Sequence, residues 1–120
     1  MANKYFESFR NRAKARANGC PLMDGRTKGN PDDYIGKDLT IEDAFRMTGE
    51  NGNYYVITVK ELKDVFFQTG GSLTDILNDA NEIAETEGVP IRDICGGLVF
   101  YYEEKTKTKA GRDFRPVRVK

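Results

Sequence analysis

Five strand-like segments, with one long amphipathic helix between the third and the fourth, predict a mainly β domain. The expected architecture is a five-stranded barrel in β-β-β-α-β-β order with one capping helix and an N-terminal helical arm. Three observations carry this reading. Tyr54-Tyr55-Val56-Ile57-Thr58-Val59 is dense in aromatic and β-branched residues. Asn51-Gly52 stands between the first two strand-like runs as a hairpin signal. A complete helical apolar stripe starts at Leu73. At 120 residues the chain has room for one core and not two.

Residues 5–17 read as a helix, with Tyr5, Phe6, Phe9 and Ala13 at helical spacing and Arg10, Arg12, Lys14 and Arg16 around the rest of the circumference. Asn18-Gly19 and then Pro21 stop it. Residues 21–36 hold three glycines and two prolines and read as an irregular, mobile connection. The division expected is therefore 1–36, a basic helical arm with its connection, and 37–120, the barrel.

The first strand spans 37–47, where Leu39, Ile41, Phe45 and Met47 share one parity and Asp43 breaks the row. Turn chemistry over 48–53 leads to the second strand, 54–60, and a short turn leads to the third, 64–69, closed by Gly70-Gly71. Ser72-Leu73-Thr74-Asp75 resembles a capping box with Asp in place of Glu or Gln. Leu73, Ile76, Leu77, Ala80, Ile83 and Ala84 then form one apolar stripe, while Asn78, Asp79, Glu82, Glu85 and Glu87 face away; Gly88 and Pro90 end the helix. Residues 91–97 are ambiguous. Residues 98–105 form the fourth strand and 112–119 the fifth, across a turn at 106–111.

A helix between the third and fourth of five strands is the order of the OB-fold, a partly open Greek-key barrel that binds oligonucleotides or oligosaccharides on its strand 2–3 face and its loops. Other small barrels or an α+β sandwich share the same string of elements.

Composition narrows the chemistry. Hydrophobic residues at 38% with 32% charged fit a globular protein, and no apolar run nears the roughly 20 residues that span a bilayer. The first residues show no secretory h-region, so a cytoplasmic location is expected. Without histidine there is no Ser-His or Cys-His couple, and no P-loop or Gly-x-Gly-x-x-Gly segment is present, so an enzyme is not expected. Cys20 and Cys95 lie outside any C-x-x-C pair; no metal or other cofactor is expected, and two buried reduced thiols are favoured over a bridge.

The net charge of zero hides a segregation. Residues 1–30 carry seven basic side chains against Glu7 and Asp24, and 105–120 carry seven against Asp113 alone. The stretch between holds five basic and sixteen acidic side chains. Two basic ends around an acidic middle suggest a polyanionic partner, although solvated ends would give the same pattern.

The run 37–120 resembles the small OB-fold single-stranded DNA-binding proteins of phages and mobile elements. The residues that carry the likeness are Gly49-Glu50-Asn51-Gly52-Asn53-Tyr54-Tyr55, Phe66-Phe67-Gln68-Thr69-Gly70-Gly71, and the closing hairpin from Lys105 through Gly111 to Phe114. The likeness covers about two-thirds of the chain, leaves out the first 36 residues, and rests on no invariant signature. The acidic tail of bacterial members of the wider group is absent, since the chain ends Arg-Val-Lys. The resemblance implies a non-enzymatic binder of single-stranded DNA, with RNA an open alternative.

Such binders join a basic groove to aromatic platforms. With Tyr55, Ile57 and Val59 placed inward, Tyr54 points outward; Phe66 is likewise assigned outward, opposite Val65 and Phe67. Val117 and Val119 inward leave Phe114, Pro116 and Arg118 outward. Lys105, Lys107 and Lys109 alternate along the closing hairpin with Arg112 across the turn, and Arg115 follows. The expected nucleic-acid contacts are therefore Tyr54, Phe66, Lys105, Lys107, Lys109, Arg112, Phe114, Arg115 and Arg118. The bland counterparts are core aromatics and an edge hairpin guarded by lysine. The N-terminal helix is open to phosphate contact, to a homo-oligomer contact through Tyr5, Phe6 and Phe9, or to simple packing. The competing reading is a protein-interaction or assembly module that uses the barrel edge and no nucleic acid.

Overall fold

A computed structural model describes residues 5, 6, 9, 10, 19–50 and 52–120 of the chain. The helix expected over 5–17 lies for the most part outside the described residues.

The strands are β1 (Thr27–Lys28), β2 (Leu39–Gly49), β3 (Gly52–Val59), β4 (Leu62–Gln68), β5 (Val99–Tyr102), β6 (Thr106–Lys107), β7 (Asp113–Phe114) and β8 (Val117–Val119). Helix α1 (Gly71–Glu87) follows β4, and a one-turn helix α2 (Arg92–Cys95) fills the segment left ambiguous by the sequence. Six strands form a curled half-barrel in the order β1-β4-β3-β2-β5-β8, and β6 and β7 form a separate ribbon. All pairs are antiparallel except β1 with β4.

The expected five strands are thus corrected in three places, the first being β6, which falls where a turn over 106–111 is expected. The connection over 21–36 contributes an edge strand, Thr27 pairing with Val65 and Lys28 with Phe66. Gly29 makes this approach possible, since a Cβ there would lie 2.5 Å from Phe67 Cε1 and 2.6 Å from Val65 Cγ1. Short 3-10 turns at Pro21–Met23 and Pro31–Tyr34 flank β1. The expected fifth strand is broken into β7 and β8 at Arg115-Pro116, where proline has no N–H for a ladder.

The concave face is closed by α1. Tyr55, Ile57, Phe67 and Phe100 are fully buried there with Leu73, Leu77 and Ala80 of the helix in one cluster. Phe67 also meets Tyr34 edge-on at 5.5 Å and Tyr102 at 5.7 Å. The helix's apolar stripe divides, however. Leu73, Leu77, Ala80 and Ala84 are buried, while Ile83 is 49% exposed. The capping box expected at Ser72 is absent: the helix is capped by Gly70 with no side-chain bond, and Gly88 closes its other end in the left-handed conformation.

A bulge in β2 decides which residues face which side. Ile41 pairs with Val59, but Asp43 pairs with Thr58, so Glu42 is an extra residue. The side-chain alternation therefore reverses beyond it. Leu39, Ile41 and Ala44 point into the core, and Phe45 and Met47 point to the convex face, not the concave one that their parity predicts.

The convex face carries a second cluster. Cys20, Met23, Val56 and Phe66 are buried in it, with Leu22, Phe45, Met47 and Tyr54 packed around them. Both rows of β3 are consequently buried from Tyr55 to Val59. Cys20 and Cys95 are free, buried thiols in different clusters. Among the described residues no helix is long and apolar enough to cross a membrane.

Candidate nucleic-acid interface

At one end of the sheet the β2–β3 hairpin, the end of β4 and the first turns of α1 enclose an open polar cleft of about 710 Å³. Its floor is held by a chain of hydrogen bonds. The Tyr55 N–H donates to Thr69 Oγ1 at 3.0 Å, and the Thr69 N–H donates to the Tyr55 carbonyl at 2.9 Å. The Thr69 and Thr74 hydroxyls meet at 2.8 Å, and the Tyr55 hydroxyl donates to Asn78 Oδ1 at 3.0 Å. Burial pushes the Tyr55 phenol pKa up, which keeps it protonated as a donor. Thr74, read from the sequence as part of a cap, thus serves to tie the helix to β4.

Tyr54 forms one wall of this cleft and Asn53 and Gln68 lie on its rim. The ring is half-buried, with its inner side in the convex cluster. It lies over Gly49, where a Cβ would come within 3.1 Å of Tyr54 Cε1.

A second open depression, of about 370 Å³, begins one residue further along α1. Gly71 lines the first cleft; Ser72 lines the second, together with Phe114, Pro116, Arg118 and Glu103. Consecutive residues at the start of α1 thus line the two depressions, one walled by Tyr54 and the other by Phe114. Phe114 is 44% exposed.

Beyond Phe114 runs the β6–β7 ribbon, in which Thr106 pairs with Phe114 and Lys107 with Asp113. Its turn is fixed by the Thr108 N–H donating to the Arg112 carbonyl at 2.8 Å and the Gly111 N–H donating to the Thr108 carbonyl at 2.9 Å. Lys105, Lys107, Lys109 and Arg112 are exposed, and none of the ion pairs among the described residues involves them. Only Thr106–Lys107 is strand here, and Lys109 sits in the turn. The pleat therefore does not align all three lysines, as the sequence alternation suggests; the ribbon instead presents four cations around a tight bend.

Two expected contacts are corrected. Phe66 is 6% exposed beneath Met23 and Cys20, so its ring offers no face to a base. The Arg115 guanidinium is largely buried, paired with Asp32 and donating to the Glu103 carbonyl at 2.9 Å. It joins the turn at Pro31–Tyr34 to the end of β5, a structural staple. Arg118 remains on the rim but is paired with Glu103 Oε1, which raises the guanidinium pKa further. Glu103 and Glu104 lie in the same depression as Phe114, so a polyanion favours the lysine side of that ring.

The sequence did not single out Asn53, Gln68 or Asn78. The Gln68-Thr69-Gly70-Gly71 run at the strand end was the available signal, since a polar strand terminus before a helix marks a rim. Among the described residues no group of three or more Cys, Asp or Glu side chains is placed to hold a metal ion. No protein-family model, curated protein or solved structure matches the chain.

Proposed function

We propose that the chain is a non-enzymatic single-stranded nucleic-acid-binding protein, with DNA as the expected strand, built on an OB-fold-like domain. The strand order supports the fold reading. Setting β1 aside, the sheet runs β4-β3-β2-β5-β8, which is third, second, first, fourth and fifth, with α1 between third and fourth.

The observation that carries the function is a pair of open depressions lined by consecutive residues at the start of α1, Gly71 in one and Ser72 in the other. Each has an aromatic wall, Tyr54 in one and Phe114 in the other, and the second leads to four cations without ion-pair partners among the described residues. Bases stack on the rings, each stack contributing about 1–3 kcal/mol, and phosphates follow Lys105, Lys107, Lys109 and Arg112. Asn53, Gln68 and Asn78 supply hydrogen bonds that all four bases can satisfy.

Fluorescence anisotropy with labelled oligo-dT, oligo-rU and a duplex, each at low and high salt, tests this reading. Binding to oligo-dT that exceeds duplex binding and weakens as salt rises is expected. Duplex preference, or no binding at low salt, refutes it.

A further inference from the structure

On the far side of α1 from the polar cleft, the helix leaves Ile83 half-exposed and Ile76 partly covered, with Ala80 buried between them. Ile76, Ala80 and Ile83 recur at i, i+4 and i+7, and with Ile94 and Leu98 they line an open groove of about 330 Å³ between α1 and α2. At roughly 150 Å³ per benzene-sized ring, that space admits about two phenyl groups. Directly beside the stripe, Asp75, Asp79 and Glu82 recur at the same spacing, all exposed. Helix α1 carries five acidic side chains and no basic one. The groove therefore suits an aromatic segment with positive flanks.

The sequence contains such a segment at its own N-terminus. Tyr5, Phe6 and Phe9 are 75%, 53% and 68% exposed, and Lys4, Arg10, Arg12, Lys14 and Arg16 surround them with Glu7 as the sole acid. Ile83, in the groove, is 49% exposed as well. We propose that Phe6 and Phe9 of one copy dock in the α1–α2 groove of a second copy, with the arginines of the arm against Asp79 and Glu82. The contact is heterologous, each copy offering an arm and a groove, so copies join head to tail, in a ring or in an open array. Two rings and one helix flank bury an area at the low end of specific interfaces, below about 1,200 Å², so association is concentration-dependent and sensitive to salt. The inference does not depend on nucleic-acid binding.

Sedimentation of the full chain over two decades of concentration tests it. The weight-average mass is expected to rise past that of a dimer and to fall back as salt is added. Ile83→Asp, at a half-exposed site, and Phe6→Asp with Phe9→Asp should each sediment as monomers. Mixed in equal amounts, the two variants should form dimers and nothing larger, because one intact arm meets one intact groove. Asp79→Lys with Glu82→Lys, which leaves the apolar stripe and the core untouched, should also abolish growth. A wild-type chain that stays monomeric throughout overturns the proposal. So does association that survives the groove variants, or that survives with Phe6 and Phe9 replaced.

Discussion

Replacing Phe114 and Phe66 by alanine should separate binding from folding in opposite directions. Phe66 is 6% exposed and packs with Cys20, Met23 and Val56 on the convex face. Its truncation leaves a cavity between the sheet and the 20–23 segment and should cost about 3–5 kcal/mol of stability. In a domain of this size that lowers Tm by more than about 10 °C. Phe114 is 44% exposed and sits on a two-residue ribbon, so about half of its contacts are with solvent already. Its loss should cost about 1 kcal/mol of stability or less, but about 1–3 kcal/mol of binding, a rise of roughly 5- to 150-fold in Kd. Denaturant melts beside anisotropy titrations with oligo-dT measure both. Phe66→Ala should bind normally per folded molecule. The interface assignment fails if Phe114→Ala changes Kd by less than about twofold while remaining folded, since a stacked base is worth more than that.

Three further outcomes follow from the same geometry. Lys107→Glu with Lys109→Glu should leave the melting temperature nearly unchanged, because exposed lysines contribute little to stability, and should flatten the logarithmic salt slope of oligo-dT binding by about 1.4; an unchanged slope makes the ribbon edge protection only. Gly29→Ala should destabilise the fold by about 1–3 kcal/mol, because the new Cβ meets Phe67 Cε1 at 2.5 Å in a filled core; a urea melt indistinguishable from wild type would show that β1 does not pack as described. Burial pushes the Cys95 thiol pKa from its ordinary 9.0 up to about 11, so the folded state holds this proton where the unfolded chain releases it. Its contribution is then complete below about pH 9 and is lost as pH rises towards about 11; urea midpoints should fall over that window and fall less in Cys95→Val.

The parts of the fold legible in the sequence are those fixed by local pattern. The β3 run and the α1 stripe were placed to within about two residues because period-2 and period-3.6 burial leave different marks over six residues or more. The bulge at Glu42 left no such mark. Phe45 and Met47 are as apolar as Leu39 and Ile41, and a sheet with clusters on both faces accepts either register. Strand β1 has two residues and pairs in parallel with a strand nearly forty positions away, which periodicity cannot see. The same distance effect governs the site. Arg115 reads like Lys107 in sequence, yet Asp32, 83 positions back, takes it out of play. The lysines of the ribbon take part in none of the ion pairs among the described residues, although Asp113 lies across from Lys107 in the ladder.

The distribution of the aromatic rings joins these strands of argument. Of thirteen, Tyr55, Phe66, Phe67, Phe100 and Tyr102 are buried, and Tyr34, Phe45, Tyr54 and Tyr101 are partly covered. Those left exposed are Tyr5, Phe6, Phe9 and Phe114, and every one lies in a basic end of the chain. The acidic middle exposes no aromatic at all; its uncovered apolar side chains, Ile35, Ile83 and Val89, are aliphatic. Exposed rings thus coincide with positive charge, which is the combination that a strand of phosphates and bases requires. It is equally the combination that the acidic flank and apolar floor of the α1–α2 groove require. On the two proposals the ends would divide these tasks by geometry. Phe114 opens onto an open depression whose lining starts one residue along α1 from that of the Tyr54 cleft. The N-terminal rings match the groove beside Asp79, whose carboxylate would hold an arginine.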